Sequence, residues 1–145
     1  MEIATIGFTR RSAEDFFGTL RRAGIRRLLD VRRSNTSQLA AFAKRDDLAY
    51  FLRELVDVEY REASLLAPTP ELLDGYRKRR ITWPEYAAAY RRLLDEREAH
   101  HRLDRALFET PAVLLCSEHS PDRCHRRLVI EHLAEHWGDV TAVHL

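Results

Sequence analysis

Ala112-Val113-Leu114-Leu115-Cys116 is a near-continuous apolar run, the pattern of a strand buried on both faces within a parallel sheet. Parallel neighbours are joined by crossovers, normally helices, so such a strand demands helical layers above and below it. The rest of the chain supplies them. Ile3 to Ile6 is a short β-rich run closed by Gly7, and Ser12 then precedes Ala13, Glu14 and Asp15, an N-cap followed by acidic first-turn residues. The helix predicted there carries Phe16, Phe17 and Leu20 at helical spacing and stops near Gly24. Leu28, Leu29 and Val31 form a second apolar run, completing a β-α-β unit. A polar segment then leads into a helix from Asp46 to Leu55, with Leu48, Phe51, Leu52 and Leu55 on one face, and Val58 to Tyr60 reads as a third strand.

Pro68 and Pro70 break the chain before a short helix over Glu71 to Tyr76 and a cationic patch of Arg77, Lys78, Arg79 and Arg80. Thr82-Trp83-Pro84-Glu85 is a capping box with proline inside the first turn. The long helix expected after it carries Tyr86, Tyr90, Leu93 and Leu94, runs on through the very polar, solvated stretch 95–104, and ends before Pro111. Ser120-Pro121-Asp122 is a further cap. Val129, Ile130, Leu133 and Trp137 give the next helix its inward face up to Gly138, and Val140 to His144 closes as a last strand. The fold class expected is α/β: a three-layer sandwich with a mainly parallel five-stranded sheet and helices on both faces, formed by residues 1–145 as one domain.

Composition narrows the function. Only five Gly and five Pro interrupt the chain and 45% of it is hydrophobic, which excludes collagen-like and low-complexity readings. The 24 basic groups face 23 acidic ones, and all but Lys44 and Lys78 are arginine. Residues 1–80 have net charge +4 and residues 81–145 net charge −3, far from the basic stripe of a dedicated duplex binder, so nucleic acid is not indicated as a partner by net charge. No apolar run reaches the roughly 20 residues that span a bilayer, the start MEIATIGF reaches Arg10 and Arg11 too soon for a secretory segment, and two cysteines do not make a disulfide scaffold. A cytoplasmic protein with no membrane partner and no required cofactor is expected.

In an open α/β sheet, ligands bind beyond the carboxyl ends of the strands, and three strand-to-helix loops carry chemistry. The first, Gly7 to Ser12, offers a close backbone approach and a helix N-terminus to an anion. In the second, Asp30 and Arg32 leave one face of the strand, where the carboxylate can orient the guanidinium toward a ligand or form an ordinary ion pair with it. Asn35, Ser37 and Gln38 follow with donors and acceptors for a polar substrate. The third runs from Cys116 through Glu118 and His119 to Cys124, His125, Arg126 and Arg127. Cys116 ends the buried strand, and Cys124 is expected about one turn into a helix whose positive end favours a thiolate. His125 is a candidate base, and Arg126 precedes the inward Val129 and Ile130 closely enough to lie on the sheet side, where it needs an anionic partner: Asp30, Glu118 or a bound substrate.

Several pictures compete for this third loop. A cysteine followed by arginine across a strand-loop-helix resembles the thiolate phosphate-cradle enzymes and the sulfurtransferases, but a carboxylate and a proline with no glycine make a poor oxyanion cradle. Cys116, His119, Cys124 and His125 are acceptable zinc ligands by type, yet adjacent Cys124 and His125 on a helix point about 100° apart, so no metal is expected. A reversible Cys116–Cys124 disulfide and a pair of inert structural cysteines are the remaining readings.

Taken together, Thr5-Ile6-Gly7, Leu29-Asp30-Val31-Arg32, the run from Asn35 to Phe42 with Lys44, Leu115-Cys116-Ser117-Glu118 and Cys124-His125-Arg126-Arg127 resemble, over nearly the full length, a widespread prokaryotic family known as a domain of unknown function, number 488. The segment from Asn35 to Lys44 is similar to one subgroup. Phe8 departs from relatives that often have histidine there, so a role resting on that histidine does not transfer. The resemblance implies an α/β fold and no established activity. It also implies that Asp30, Arg32, Asn35, Ser37, Gln38, Glu118, Cys124, His125 and Arg126 gather around one pocket, with Lys44 beside them as a further substrate-binding candidate. Arg33 and Arg11 are aimed toward the same place. The function expected is a small enzyme acting on a phosphorylated or nucleotide-like anionic substrate, with Arg32 and Arg126 as anion clamps, Glu118 or His125 as general base, and Cys124 or Cys116 as nucleophile. A non-catalytic nucleotide or nucleic-acid binding module using Arg32 and Arg126 together with Arg77 to Arg80, and a structural or regulatory domain with a buried ion network, are the alternatives.

Overall fold

In the computed structural model, residues 1–33, 41–116 and 124–145 are described. They form an α/β fold: strands β1 (Glu2–Gly7), β2 (Arg27–Asp30), β3 (Glu59–Glu62), β4 (Ala112–Cys116) and β5 (Thr141–His144), with helices α1 (Ala13–Arg22), α2 (Arg45–Val56), α3 (Pro70–Arg77), α4 (Trp83–Glu96), α5 (Ala99–Arg102) and α6 (His125–Trp137) around them. The sheet has the order β3-β2-β4-β1-β5 and every pairing is parallel. The apolar run 112–116 is therefore the central strand, buried at all five positions. It enters between β1 and β2, so the first β-α-β unit spans a gap that β4 fills.

Alternation along the strands divides the core in two. Ile3, Leu29, Leu114 and Cys116 face one side and pack with Tyr86, Tyr90 and Leu94 of α4 and Leu128, Val129 and Leu133 of α6. Ala4, Ile6, Leu28, Val113 and Leu115 face the other and pack with Phe16 and Leu20 of α1 and Leu48 and Leu52 of α2. Helices thus cover both faces, as the alternation of elements requires.

The caps fix where these helices start and stop. Ser12 accepts a hydrogen bond from the Asp15 N–H at the head of α1, and Gly24 follows the helix with φ +69°, a conformation that favours glycine. Thr82 and Glu85 form the reciprocal capping box of α4. Three details differ from the sequence-based expectation. Helix α4 does not run to Pro111: it ends at Glu96, Glu98 turns the chain in the left-handed region, and α5 begins as a separate short helix. Leu55, expected inward, is 52% exposed in the last turn of α2, beside the edge strand β3. Cys124 is not one turn inside a helix but at the N-cap position of α6, in extended backbone. The expected cap at 120–122 lies outside the described residues.

Candidate functional site

The carboxyl ends of β1, β2 and β4 are brought level by register, with Gly7 opposite Cys116 and Asp30 opposite Leu115. The Val31 N–H continues the ladder to the Leu115 carbonyl at 3.1 Å. The strand ends therefore bring Asp30 and Arg32, on the α1/α2 side, and Cys116, on the α4/α6 side, to one level of the sheet.

Asp30 and Arg32 are both buried there. Arg32 donates Nε–H to Asp30 Oδ1 and Nη2–H to Asp30 Oδ2, each at 2.8 Å, and its backbone N–H to Oδ1 at 3.1 Å. Its Nη1–H goes to the Ala43 carbonyl at 2.7 Å. The Tyr60 hydroxyl from β3 donates to Asp30 Oδ2 at 2.5 Å. Burial and the adjoining carboxylate push the Tyr60 phenol well above its ordinary value. The Phe8 ring lies beneath the Arg32 guanidinium, 5.5 Å from centroid to Cζ, a cation–π arrangement. Phe8 thus packs on the arginine that lies just beyond β2.

The start of α6 closes over the same strand ends. His125 Nε2 is 2.8 Å from the Val31 carbonyl; since a carbonyl only accepts, the ring proton is assigned to Nε2 and the lone pair to Nδ1. Cys124 Sγ lies 4.0 Å from that Nδ1, and Tyr90 meets the ring edge-on at 5.6 Å. Burial pulls the His125 imidazole down to about 4; the Val31 hydrogen bond is the next influence and opposes it, and the cationic Arg126 and Arg77 add to the lowering. The ring is consequently neutral at pH 7. Arg126 is fully buried and directs Nη1–H at Cys116 Sγ, 3.1 Å away. The sulfurs of Cys116 and Cys124 are paired, with Cα atoms 7.6 Å apart, a wider setting than the roughly 4.4–6.8 Å usual for a bridge.

Beside this cluster opens a cleft of about 440 Å³, lined by Asp30, Arg32, Arg33 and Glu62 on one side and by Ser64, the 67–70 segment and Arg97 on the other. Arg97 is held there by the Leu65 and Ala67 carbonyls at 2.8 and 2.6 Å.

Asp30, Arg32, Cys116, Cys124, His125 and Arg126 are thus all at the ends of β2 and β4. Lys44 is exposed at the N-cap of α2, next to the carbonyl that Arg32 engages. Arg11 turns elsewhere, to Asp15 and the Leu145 carbonyl. Asn35, Ser37, Gln38 and Glu118 lie outside the described residues. Sequence reasoning missed Tyr60, Phe8 and Arg97. Tyr60 belongs to the strand beside β2, a neighbour that only the sheet order reveals, and Arg97 carries no local signal.

The comparison with family models matches residues 12–133 to one described as a domain of unknown function, DUF488. No curated protein and no solved structure matches the chain.

Proposed function

The chain belongs to the DUF488 family, a domain of unknown function, so its activity is read from its own site: we propose a small enzyme acting on a phosphorylated or nucleotide-like anionic substrate at the carboxyl ends of β2 and β4. The observation that carries this reading is the buried Arg126 guanidinium on Cys116 Sγ. Burying a cation is costly, and a cationic donor on sulfur favours the thiolate, the form in which cysteine attacks. In the reduced protein two thiols would share that arginine and a neutral imidazole whose lone pair faces Cys124. Glu118 or His125 is the candidate general base; the buried His125 imidazole is in the unprotonated form that a base requires. The adjoining cleft has the volume of a small-ligand site and three arginines in its lining. A reducing cytoplasm suits a site that needs free thiols.

The test uses reduced, full-length protein against a panel of nucleoside phosphates and sugar phosphates, read by thermal shift and by mass spectrometry of products. At least one compound should raise Tm and be converted. Cys124→Ser should keep the shift and lose conversion, while Arg33→Ala should weaken the shift. A ligand that binds without conversion marks a non-catalytic nucleotide-binding module, and a panel without any shift overturns the anionic-substrate reading.

One observation favours a second reading, a structural domain with a buried ion network. All three guanidinium nitrogens of Arg32 are engaged by Asp30 and the Ala43 carbonyl, as in a pair that holds the fold. On that reading, Arg32 variants lose stability and no ligand restores it.

A further inference from the structure

At the opposite end of α6, three imidazoles converge. His132 and His136 are four residues apart and so share one face of the helix, their ring centroids 4.5 Å apart. Helix α5 adds His100, whose ring stacks on His136 at 3.7 Å and whose Nδ1 lies 3.1 Å from His132 Nε2. One ligand nitrogen from each ring falls within 4.8 Å of the others. Asp95, from the end of α4, brings Oδ1 to 3.5 Å from His132 Nδ1 and 3.6 Å from His136 Nε2. His132 meets His100 through Nε2 and Asp95 through Nδ1 and gives an ion only one of them; the 3.5 and 3.6 Å separations about Asp95 Oδ1 are close to the ~3.4 Å edge of a tetrahedron built on zinc–ligand bonds of about 2.0–2.1 Å.

We infer that Asp95, His100, His132 and His136 form a binding site for a divalent transition-metal ion of the zinc class, joining α4, α5 and α6. The donor set decides the class of ion. Imidazole with one carboxylate suits zinc, nickel, copper or cobalt, whereas magnesium and calcium take oxygen ligands. The support is already built: the Trp137 indole N–H donates to the His100 carbonyl at 3.0 Å and holds α5 against α6. His132 is buried, while the His136 side chain is 32% and the Asp95 side chain 61% exposed, which leaves the ion a route from solvent. The site is separate from the strand-end cluster. From Arg126 to His136 is ten residues of helix, about 15 Å along the axis.

The test is zinc titration of chelator-treated, full-length protein, followed by competition with a chromophoric chelator and by cobalt absorption spectra. One zinc per chain is expected, with a cobalt spectrum of nitrogen and oxygen ligation and a rise in Tm. His136→Ala and His100→Gln, both at partly exposed rings, should each weaken zinc at least tenfold, with folding checked by circular dichroism. The Cys116→Ser/Cys124→Ser double variant should bind as tightly as the parent. The site is disproved if neither histidine variant changes the affinity, or if the double cysteine variant abolishes it.

Discussion

Asp30 and Arg32 close a buried, two-point ion pair across a single intervening residue, with both carboxylate oxygens and two guanidinium nitrogens used at 2.8 Å. Alternation sets both side chains on the same side of the strand end, and the pair then fixes where β2 delivers its arginine. Removing one partner strands a buried charge, which typically costs about 3–5 kcal/mol. Arg32→Ala should therefore lose about that much in urea unfolding, and the double variant Asp30→Ala/Arg32→Ala should lose less than the sum of the two single changes. A loss below about 1 kcal/mol for Arg32→Ala would match an exposed pair and contradict the geometry.

Tyr60 extends that pair to β3. Its hydroxyl donates to a carboxylate, so Tyr60→Phe should cost about 1.5–3 kcal/mol. The pH dependence has a definite sign. Because the folded-state phenol is raised above its ordinary 10.0, its contribution is complete below pH 10 and declines as the pH climbs beyond it. Stability measured between neutral pH and pH 11 should fall more steeply in the parent than in Tyr60→Phe. Parallel curves would mean that the phenol ionises no differently once folded.

The expectations that hold are those written in local chemistry. Ser12 caps α1 through its own side chain, Thr82 and Glu85 close their box, and the apolar run 112–116 is the doubly covered strand. That the ends of β1, β2 and β4 lie level follows from the rule that parallel strands present their carboxyl ends together. What sequence could not supply was order and adjacency. Tyr60 reaches Asp30 only because β3 lies next to β2. His132 and His136 show their four-residue spacing in the sequence, but their partner His100 was assigned to a long solvated helix. The turn at Glu98 breaks that helix and swings α5 onto α6, a backbone reversal at a non-glycine residue with no compositional mark.

The capping box offers a local test of where α4 begins. Thr82 accepts from the Glu85 N–H at 3.3 Å while Glu85 accepts from the Thr82 N–H at 3.0 Å. Thr82→Ala should cost about 1 kcal/mol in urea unfolding, and Thr82→Asp, which keeps an acceptor at the helix head, should recover most of it. Equal losses in the two variants would show that the hydroxyl does not act as a cap.

His125 links the two halves of the strand-end cluster and gives the acid limb of the stability curve. Its folded-state value is pulled from 6.5 to about 4, first by burial and then by Arg126 and Arg77. The unfolded chain therefore binds a proton that the folded chain refuses between those values. The contribution is complete above pH 6.5 and is lost as the pH falls toward 4; at 1.36 kcal/mol per pH unit it amounts to about 3 kcal/mol. His125→Gln, which can still donate an N–H to the Val31 carbonyl but does not titrate, should flatten the difference in urea-unfolding free energy between pH 7 and pH 4.5 by about 2–3 kcal/mol. The other depressed imidazoles, His100 and His132, are common to parent and variant and cancel in this comparison. If the two proteins lose stability in step, His125 takes up its proton without opening the site, and the ring is not the buried neutral acceptor beside Cys124 that its contacts describe.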